Sequence, residues 1–303
     1  MKAMILAAGM GERLEPLTKI YPKVLVPVAN RPMMEITLDF LKSHGIQEII
    51  INAHHHYKKI IDYLKAGNCP GSEVEIRVET EILGTGGGIK NTQDFWDKEP
   101  FIVINGDILT DIDLNKVYEF HVQKNNLITM VLHDFPLCNK IKLDDNMNIL
   151  SIGPGTNLKG ASAFTGIHVI NPEVLEYIPE DKNYNIIECY KKLIDLKKPV
   201  RGYMATGHRW IDIGAIADYL RANIQNLPPE KMAISNECLI DPNACLDEWA
   251  VIGKGSSIES NALIKRSILW NDVIVRKGIR VVDSIVTSGV IVERDLFGQV
   301  IIR

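Results

Sequence analysis

The chain has 303 residues, 46% of them hydrophobic and 24% charged, enough for a sizeable core and, at this length, for two domains. Its formal net charge of −4 offers no overall basic field for nucleic acid or a membrane surface, and its five scattered cysteines form no C-x-x-C pair, which argues against a disulfide framework or a zinc site. No run approaches the roughly 20 apolar residues of a membrane span, and the apolar run after Lys2 meets Gly9 too soon for a secretory leader. A cytoplasmic protein with no membrane or nucleic-acid partner is expected.

In chain order, Lys2–Ala7 reads as a short buried strand, and Met33–His44 as a helix with Met34, Leu38 and Leu41 on one face and Gly45 closing it. Strand signals follow at Glu48–Asn52, Val74–Val78 and Phe101–Asn105, with helical signals at Tyr57–Leu64 and after the glycines at 84–88. Short apolar strands separated by helices predict a parallel sheet covered on both faces. Strands are expected again at Leu127–Leu132 and Phe164–Ile170, and helices near Ile186–Leu196 and Gly214–Asn223. After Leu227-Pro228-Pro229 the helical periodicity disappears. Ile252, Ile258 and Ile264 recur at a spacing of six, and Ile268 with Ile274 and Ile285 with Ile291 repeat it after shifts of phase. One inward aliphatic every six residues predicts a parallel β-helix, which places domains at 1–227 and 228–303.

The stretch LAAGMGERLEPLTKIYPKVLVPV, beginning at Leu6, leaves the first strand and does not become a helix. Gly9 and Gly11 suggest a dinucleotide fingerprint, but Leu14 stands where its third glycine belongs, and Pro16, Pro22 and Pro27 forbid a regular helix. No Walker pattern occurs either. What remains is a loop whose glycines let backbone N–H groups approach an anion, with Arg13 to fork onto phosphate oxygens and Lys23 as a compact charge. A loop this long with no structure of its own is usually functional.

With its continuation ANRPMM, this stretch resembles the signature of the sugar-1-phosphate nucleotidylyltransferases, roughly L-A-G/A-G-x-G-x-R-L-x-P-L-T, then P-K-x-L-x-P-V, then P-M. Glu12 departs from the usual threonine or serine, as it does in the MurNAc-1-phosphate uridylyltransferase branch. The resemblance continues through LGTGGGIKN, VINGDIL, FTGIHVI and WIDIGAIADYLRAN, and the tail resembles that of GDP-mannose pyrophosphorylase relatives. It implies an α/β, Rossmann-like nucleotide-diphospho-sugar transferase fold with a mostly parallel mixed sheet, plus a short C-terminal left-handed parallel β-helix. A homo-oligomer built through that C-terminal domain is expected. The implied substrates are a nucleoside triphosphate and a sugar 1-phosphate, giving a nucleoside-diphosphate sugar and pyrophosphate.

Asp107, just past the end of the Phe101–Asn105 strand, lies where open α/β sheets bind ligands and is the first candidate metal ligand. Asp113 reads instead as the N-cap of a helix starting at Leu114. Asp212 sits among Trp210, Ile211 and Gly214, where a lone charge is costly; a cation shared with Asp107 resolves that cost, and a helix N-cap is the alternative. The resemblance implies that these two aspartates hold one Mg²⁺, a cation that takes oxygen ligands and keeps waters. Three consecutive histidines at 54–56 point in diverging directions and suit a cleft wall better than one ion.

The resemblance further places Leu6, Ala8, Gly9, Gly11 and Arg13 on the nucleotide, Gly84 and Thr85 against its base, and Gly106, Thr165 and Gly166 on the sugar phosphate. Arg13 and Lys23 would neutralise phosphate charge. Glu79, five residues before Gly84, has a carboxylate that suits the two donors on one edge of guanine, a lean toward GTP and mannose 1-phosphate; a glutamate at this offset also occurs in the MurNAc-1-phosphate uridylyltransferase, which leaves UTP open. The Glu-Lys-Pro of many relatives is replaced by SIGPGTNLKG, leaving Lys159 as the lysine available there. A catalytically silent regulatory subunit would share the fold, but Arg13, Lys23, Asp107 and Asp212 are all present. A hexapeptide-repeat acyltransferase is disfavoured because no histidine follows His208.

Overall fold

The computed structural model describes residues 1–67, 71–136, 138–153, 160–180 and 183–303. Two compact units divide the chain elsewhere than at residue 227: one comprises Met1–Met10 and Glu35–Asp212, the other Gly11–Met34 and Ile213–Arg303. The signature loop therefore folds among the residues of the C-terminal unit.

The first unit is built on a seven-stranded sheet. Its strands lie in the order Val200–Met204, Ile128–His133, Ala163–Ile170, Phe101–Asn105, Lys2–Ala7, Glu48–Ala53 and Glu73–Val78. All pair in parallel except Ala163–Ile170, which is antiparallel to both neighbours. The helices Met33–Ser43, Tyr57–Lys65 and Ile186–Asp195 end within a residue or so of the expectation. Alternate strand residues point to one face, so Phe101 and Val103 join Ile128, Met130 and Leu132 in a core closed by Ile89, Ile186, Cys189 and Leu193 of two helices. Asp113 caps the Leu114–Gln123 helix, accepting from the backbone N–H groups of Asn115 and Lys116 at 3.1 and 3.2 Å. Short strands Ile108–Thr110 and Trp210–Asp212, which the sequence pattern did not announce, pair antiparallel.

In the second unit the signature loop is not structureless. It runs through three 3₁₀ turns, Glu12–Leu14, Leu17–Lys19 and Lys23–Leu25, and the helix Ile216–Gln225 begins two residues later than expected. The tail is a stack of short parallel strands. Ile252 pairs with Leu269 and Leu269 with Val286; Ile258 pairs with Val275 and Val275 with Val292; Ile264 pairs with Val281. Each of these steps is 17 residues, one short of three hexads, so the inward set after Ile264 is Leu269, Val275, Val281, Val286 and Val292. The expected series is corrected at Ile274, which is half-buried, and at Ile291, which is 49% exposed, whereas Ile268 and Ile285 are buried but stand outside this inward set. The stack imposes its register through partners one coil away, which a count along the chain does not see.

Two histidines of the sheet unit are buried with little charge to support a proton. Burial holds His168 down to about 3, where Tyr190 Oη meets its Nδ1 at 2.5 Å, and holds His121 down to about 4. Each is neutral in the fold over a range where its unfolded counterpart, with a pKa of about 6.5, binds a proton. Stability contributed by their neutral state is therefore present above about pH 6.5 and is lost as pH falls toward their folded values, at about 1.4 kcal/mol per pH unit for each. Urea titrations between pH 7 and 4 should show this slope, and His121→Asn should remove one share of it.

Candidate active site

A cavity of ≈ 230 Å³ opens at the carboxyl edge of the parallel strands, lined by Leu6, Ala8, Gly9, Asn52, Ile82, Gly84, Thr85, Asn105 and Asp107. Leu6, Asn52 and Asn105 come from the ends of three adjacent strands, where strand carbonyls run out and side chains turn toward a ligand. Six of the nine lining residues are sequence candidates. Gly11, Arg13 and Lys23 belong to the other unit, and Lys159 lies outside the described residues.

Gly84 opens the Gly84–Lys90 helix with φ 68°, where a Cβ would meet Asn183 Oδ1 and the Tyr184 carbonyl at 2.8 Å. The N–H groups of Gly86 and Gly87 donate to that carbonyl at 2.8 and 3.2 Å, and Thr85 Oγ1 accepts from Ile186 N–H at 3.0 Å. The glycine-rich turn is thus held from behind by residues 183–186.

Glu79 takes a position different from the expected one. It is 3% exposed and is not among the lining residues. Its Oε1 accepts from Asn52 Nδ2 at 2.7 Å and its Oε2 from Leu83 N–H at 3.1 Å. Asn52 Oδ1 in turn accepts from Ala7 N–H at 2.8 Å. The carboxylate therefore ties the ends of two strands to the turn before Gly84, and Asn52 is the member of this chain that reaches the cavity. A polar residue inside the apolar run EIIINA was the available signal for Asn52. His54 Nδ1 meets the Glu79 carbonyl at 2.9 Å, and the rings of His55 and His56 lie 3.9 Å apart, so the histidine run is split between two local contacts.

The two candidate metal ligands come together through the short strand pair. Asp212 is directly opposite Ile108, the residue after Asp107, and both aspartates are half-buried. Gly106 is buried, its N–H donating to the Leu6 carbonyl at 2.9 Å. Gly166, with φ 81°, abuts Ile108 and Asn105; a Cβ would lie 2.7 Å from Asn105 Nδ2. Thr165 is fully buried and donates its hydroxyl to the Val131 carbonyl at 2.9 Å, so this side chain serves the sheet.

Beside it lies a wall that sequence reasoning missed. Trp210 Nε1 donates to the Thr165 carbonyl at 2.9 Å, its ring packs on those of His133 and Phe135, and His208 Nε2 meets His133 Nδ1 at 3.3 Å. Burial, with His208 adding to it, lowers His133 to about 4. Trp210 and Asp212, two apart on one strand, share a face. Within the second unit, Arg13 lays its guanidinium over Gly214, where a Cβ would lie 2.9 Å from Nη2.

Residues 2–227 match the nucleotidyl transferase family, and the chain belongs to it. Within that class it is a sugar-1-phosphate nucleotidylyltransferase. It is 32% identical to the UTP--glucose-1-phosphate uridylyltransferase of Synechocystis sp., over 73% of this chain and 62% of that relative. It is 30% identical to the D-glycero-alpha-D-manno-heptose 1-phosphate guanylyltransferase of Campylobacter jejuni, over 75% of this chain and all of that one. The mannose-1-phosphate guanylyltransferase 1 of Arabidopsis thaliana is 26% identical over 93% of this chain and 82% of its own length. Among solved structures, HddC from Yersinia pseudotuberculosis complexed with GMP-PN superposes with a TM-score of 0.65 at 26% identity, covering 74% of this chain and 98% of that one. Among the described residues no helix is long and apolar enough to cross a membrane.

The packing under the cavity gives a direct test. A Cβ on Gly88 would lie 2.7 Å from both Asn52 Nδ2 and Glu79 Oε1. Gly88→Ala should cost about 1–3 kcal/mol in urea unfolding by forcing that pair apart. Glu79→Gln sets an amide NH₂ against either the Asn52 NH₂ or the Leu83 N–H, and should raise the nucleotide KM more than it lowers kcat.

Proposed function

We propose that the cavity takes the nucleotide of a nucleoside triphosphate, and that Asp107 and Asp212 hold one Mg²⁺ beside it. The observation that carries this reading is the strand pair that sets Asp212 against the residue following Asp107, which itself lines the cavity. The donor set fits: two carboxylates, half-buried, with no cluster of three potential metal-ligating side chains among the described residues, leave most of an octahedral shell for water and phosphate oxygens. When bound, the ion would neutralise charge on the α-phosphate and the sugar phosphate.

In the reaction, an oxygen of the sugar phosphate attacks the α-phosphorus, the bond to the β-phosphate oxygen breaks, and pyrophosphate leaves in line. The monoester is already anionic near neutral pH, so the protein's task is positioning and charge stabilisation rather than proton removal. We assign Leu6, Ala8, Gly9, Gly84 and Thr85 to the nucleoside and its α-phosphate. Arg13, Lys23 and the Gly11 amide, on the chain that continues from Gly9, are assigned to the phosphates. Gly106 and Gly166 shape the sugar-phosphate side, and Lys159 stays the lysine proposed there. The wall of His133, Phe135, His208 and Trp210 is proposed to face the sugar, because Trp210 shares a strand face with Asp212.

For substrates we propose GTP with mannose 1-phosphate or a related sugar, supported by the guanylyltransferases among the relatives. The uridylyl reading is favoured by the 32% identical uridylyltransferase and by the engagement of both Glu79 oxygens, which weakens the guanine fork. We take the enzyme to be cytoplasmic, its coils to wind left-handed on the near-hexad spacing, and its C-terminal coils to carry a homo-oligomer contact. A pyrophosphate-release screen of four nucleoside triphosphates against mannose, heptose, glucose and MurNAc 1-phosphates decides the substrates. Release with no pair would return the chain to a regulatory role.

Asp107→Asn and Lys23→Ala should each lower kcat by about 100–1,000-fold, with the thermal midpoint little changed. Chelation by EDTA should abolish turnover and Mg²⁺ should restore it; full turnover in EDTA would remove Asp107 and Asp212 from the chemistry.

A further inference from the structure

We infer that the C-terminal coils position the signature loop through Trp270, Tyr219, Asn223 and Asn30, which makes the β-helix part of the catalytic apparatus rather than an appendage. This rests on the proposed roles of Arg13 and Lys23.

The contacts form two chains of hydrogen bonds. Trp270, on a coil and 3% exposed, donates Nε1 to Tyr219 Oη at 3.0 Å. Tyr219, fully buried, donates that hydroxyl to the Pro27 carbonyl at 2.8 Å. Burial pushes the Tyr219 phenol far up, so it keeps the proton it donates. On the far side of Lys23, the edge of the Tyr21 ring meets Trp270 with centroids 5.4 Å apart and planes at 89°. The second chain grips the turn after Pro27–Val28. Ala29 N–H donates to Asn223 Oδ1 at 2.9 Å, and Asn223 Nδ2 donates to the Tyr219 carbonyl at 2.9 Å. Asn30 Nδ2 spends both hydrogens on coil backbone, the Ala233 and Ile252 carbonyls, each at 2.9 Å.

This turn has strand pairing of its own, Pro27 with Pro32 and Val28 with Arg31, and the anchors add to it. Ala29 and Asn30 sit at φ 47° and 68°, a two-residue hairpin with both residues left-handed. Asparagine tolerates that region and alanine does not, so Ala29 is kept there by its surroundings. The anchors at Tyr21, Pro27, Ala29 and Asn30 bracket Lys23 from two residues before to seven after. The bracketed segment also carries the 3₁₀ turn Lys23–Leu25, and Lys23 Cβ lies close under Gly11, 3.6 Å from where a Cβ there would stand. A shift of the anchors therefore passes to the lysine and to the glycine that leads to Arg13. These are positioning residues; none is assigned to a phosphate.

The test uses the full chain. Trp270→Phe keeps the ring beside Tyr21 and deletes the N–H, whereas Asn30→Gly deletes both coil bonds and leaves a residue at ease in the turn. Each should lower kcat in the pyrophosphate-release assay about 10-fold, with the nucleotide KM within about 3-fold. In hydrogen exchange, amides of residues 11–30 should exchange at least 10-fold faster while those of the Phe101–Asn105 strand are unchanged. Unaltered kcat and unaltered exchange in an active wild-type background would overturn the inference. So would faster exchange throughout both units, which would mark general destabilisation. If the wild-type chain releases pyrophosphate from no substrate pair, the functional reading fails, and the exchange pattern alone still decides whether the coils hold the loop.

Discussion

Two carboxylates about a hundred residues apart in sequence are joined by three residue pairs between the strands Ile108–Thr110 and Trp210–Asp212. Like charges repel, so what brings the two half-buried aspartates near one another is the strand pairing and not their own attraction. That the chain builds a dedicated strand pair to bring them together is the constraint around which the rest is arranged. The Phe101–Asn105 strand delivers Asp107 to the carboxyl edge of the sheet, Gly166 makes room for Asn105 beside it, and the strand carrying Asp212 presents Trp210 on the same face.

A second layer supports the first. Asn52, which lines the cavity, belongs to a network with Ala7, Glu79 and Leu83, against which a glycine packs that leaves no room for a methyl group. A buried carboxylate with a hydrogen bond to each oxygen acts as a brace, because each bond restricts the segment it holds. The residue that looked like a reader of the base is better described as the residue that sets where the reader stands.

The division of the chain into compact units puts the signature loop with the C-terminal coils, while the cavity proposed for the nucleotide is lined by residues of the sheet unit. The polypeptide leaves the sheet unit at Met10 and re-enters it at Glu35, within the helix Met33–Ser43, and the loop between has partners inside its own unit. Those partners include Tyr219, Asn223 and Trp270, whose contacts with the loop were not legible in the sequence.

The sequence by itself determined six of the seven strands of the main sheet and three of its helices to within a residue or so, since alternation and helical spacing are local consequences of backbone geometry, while Val200–Met204 and the short strand pairs went unseen. Its glycines, prolines and two cations marked a loop suited to an anion, and the reaction class came from the resemblance of that loop to the family signature. Tertiary structure decided what depends on partners distant in the chain. The coil step is set by strand pairing and changes along the stack, from 18 residues between Cys245 and Leu263 to 17 between Ile252 and Leu269 and 15 between Val281 and Leu296, so a fixed hexad count drifts off it. Thr165 proved to be a sheet residue and Glu79 a brace because hydrogen-bond partners, not side-chain type, decide whether a polar group serves a ligand or the fold. The wall of His133, Phe135, His208 and Trp210 is assembled from two segments more than seventy residues apart, and no window of sequence could have shown it.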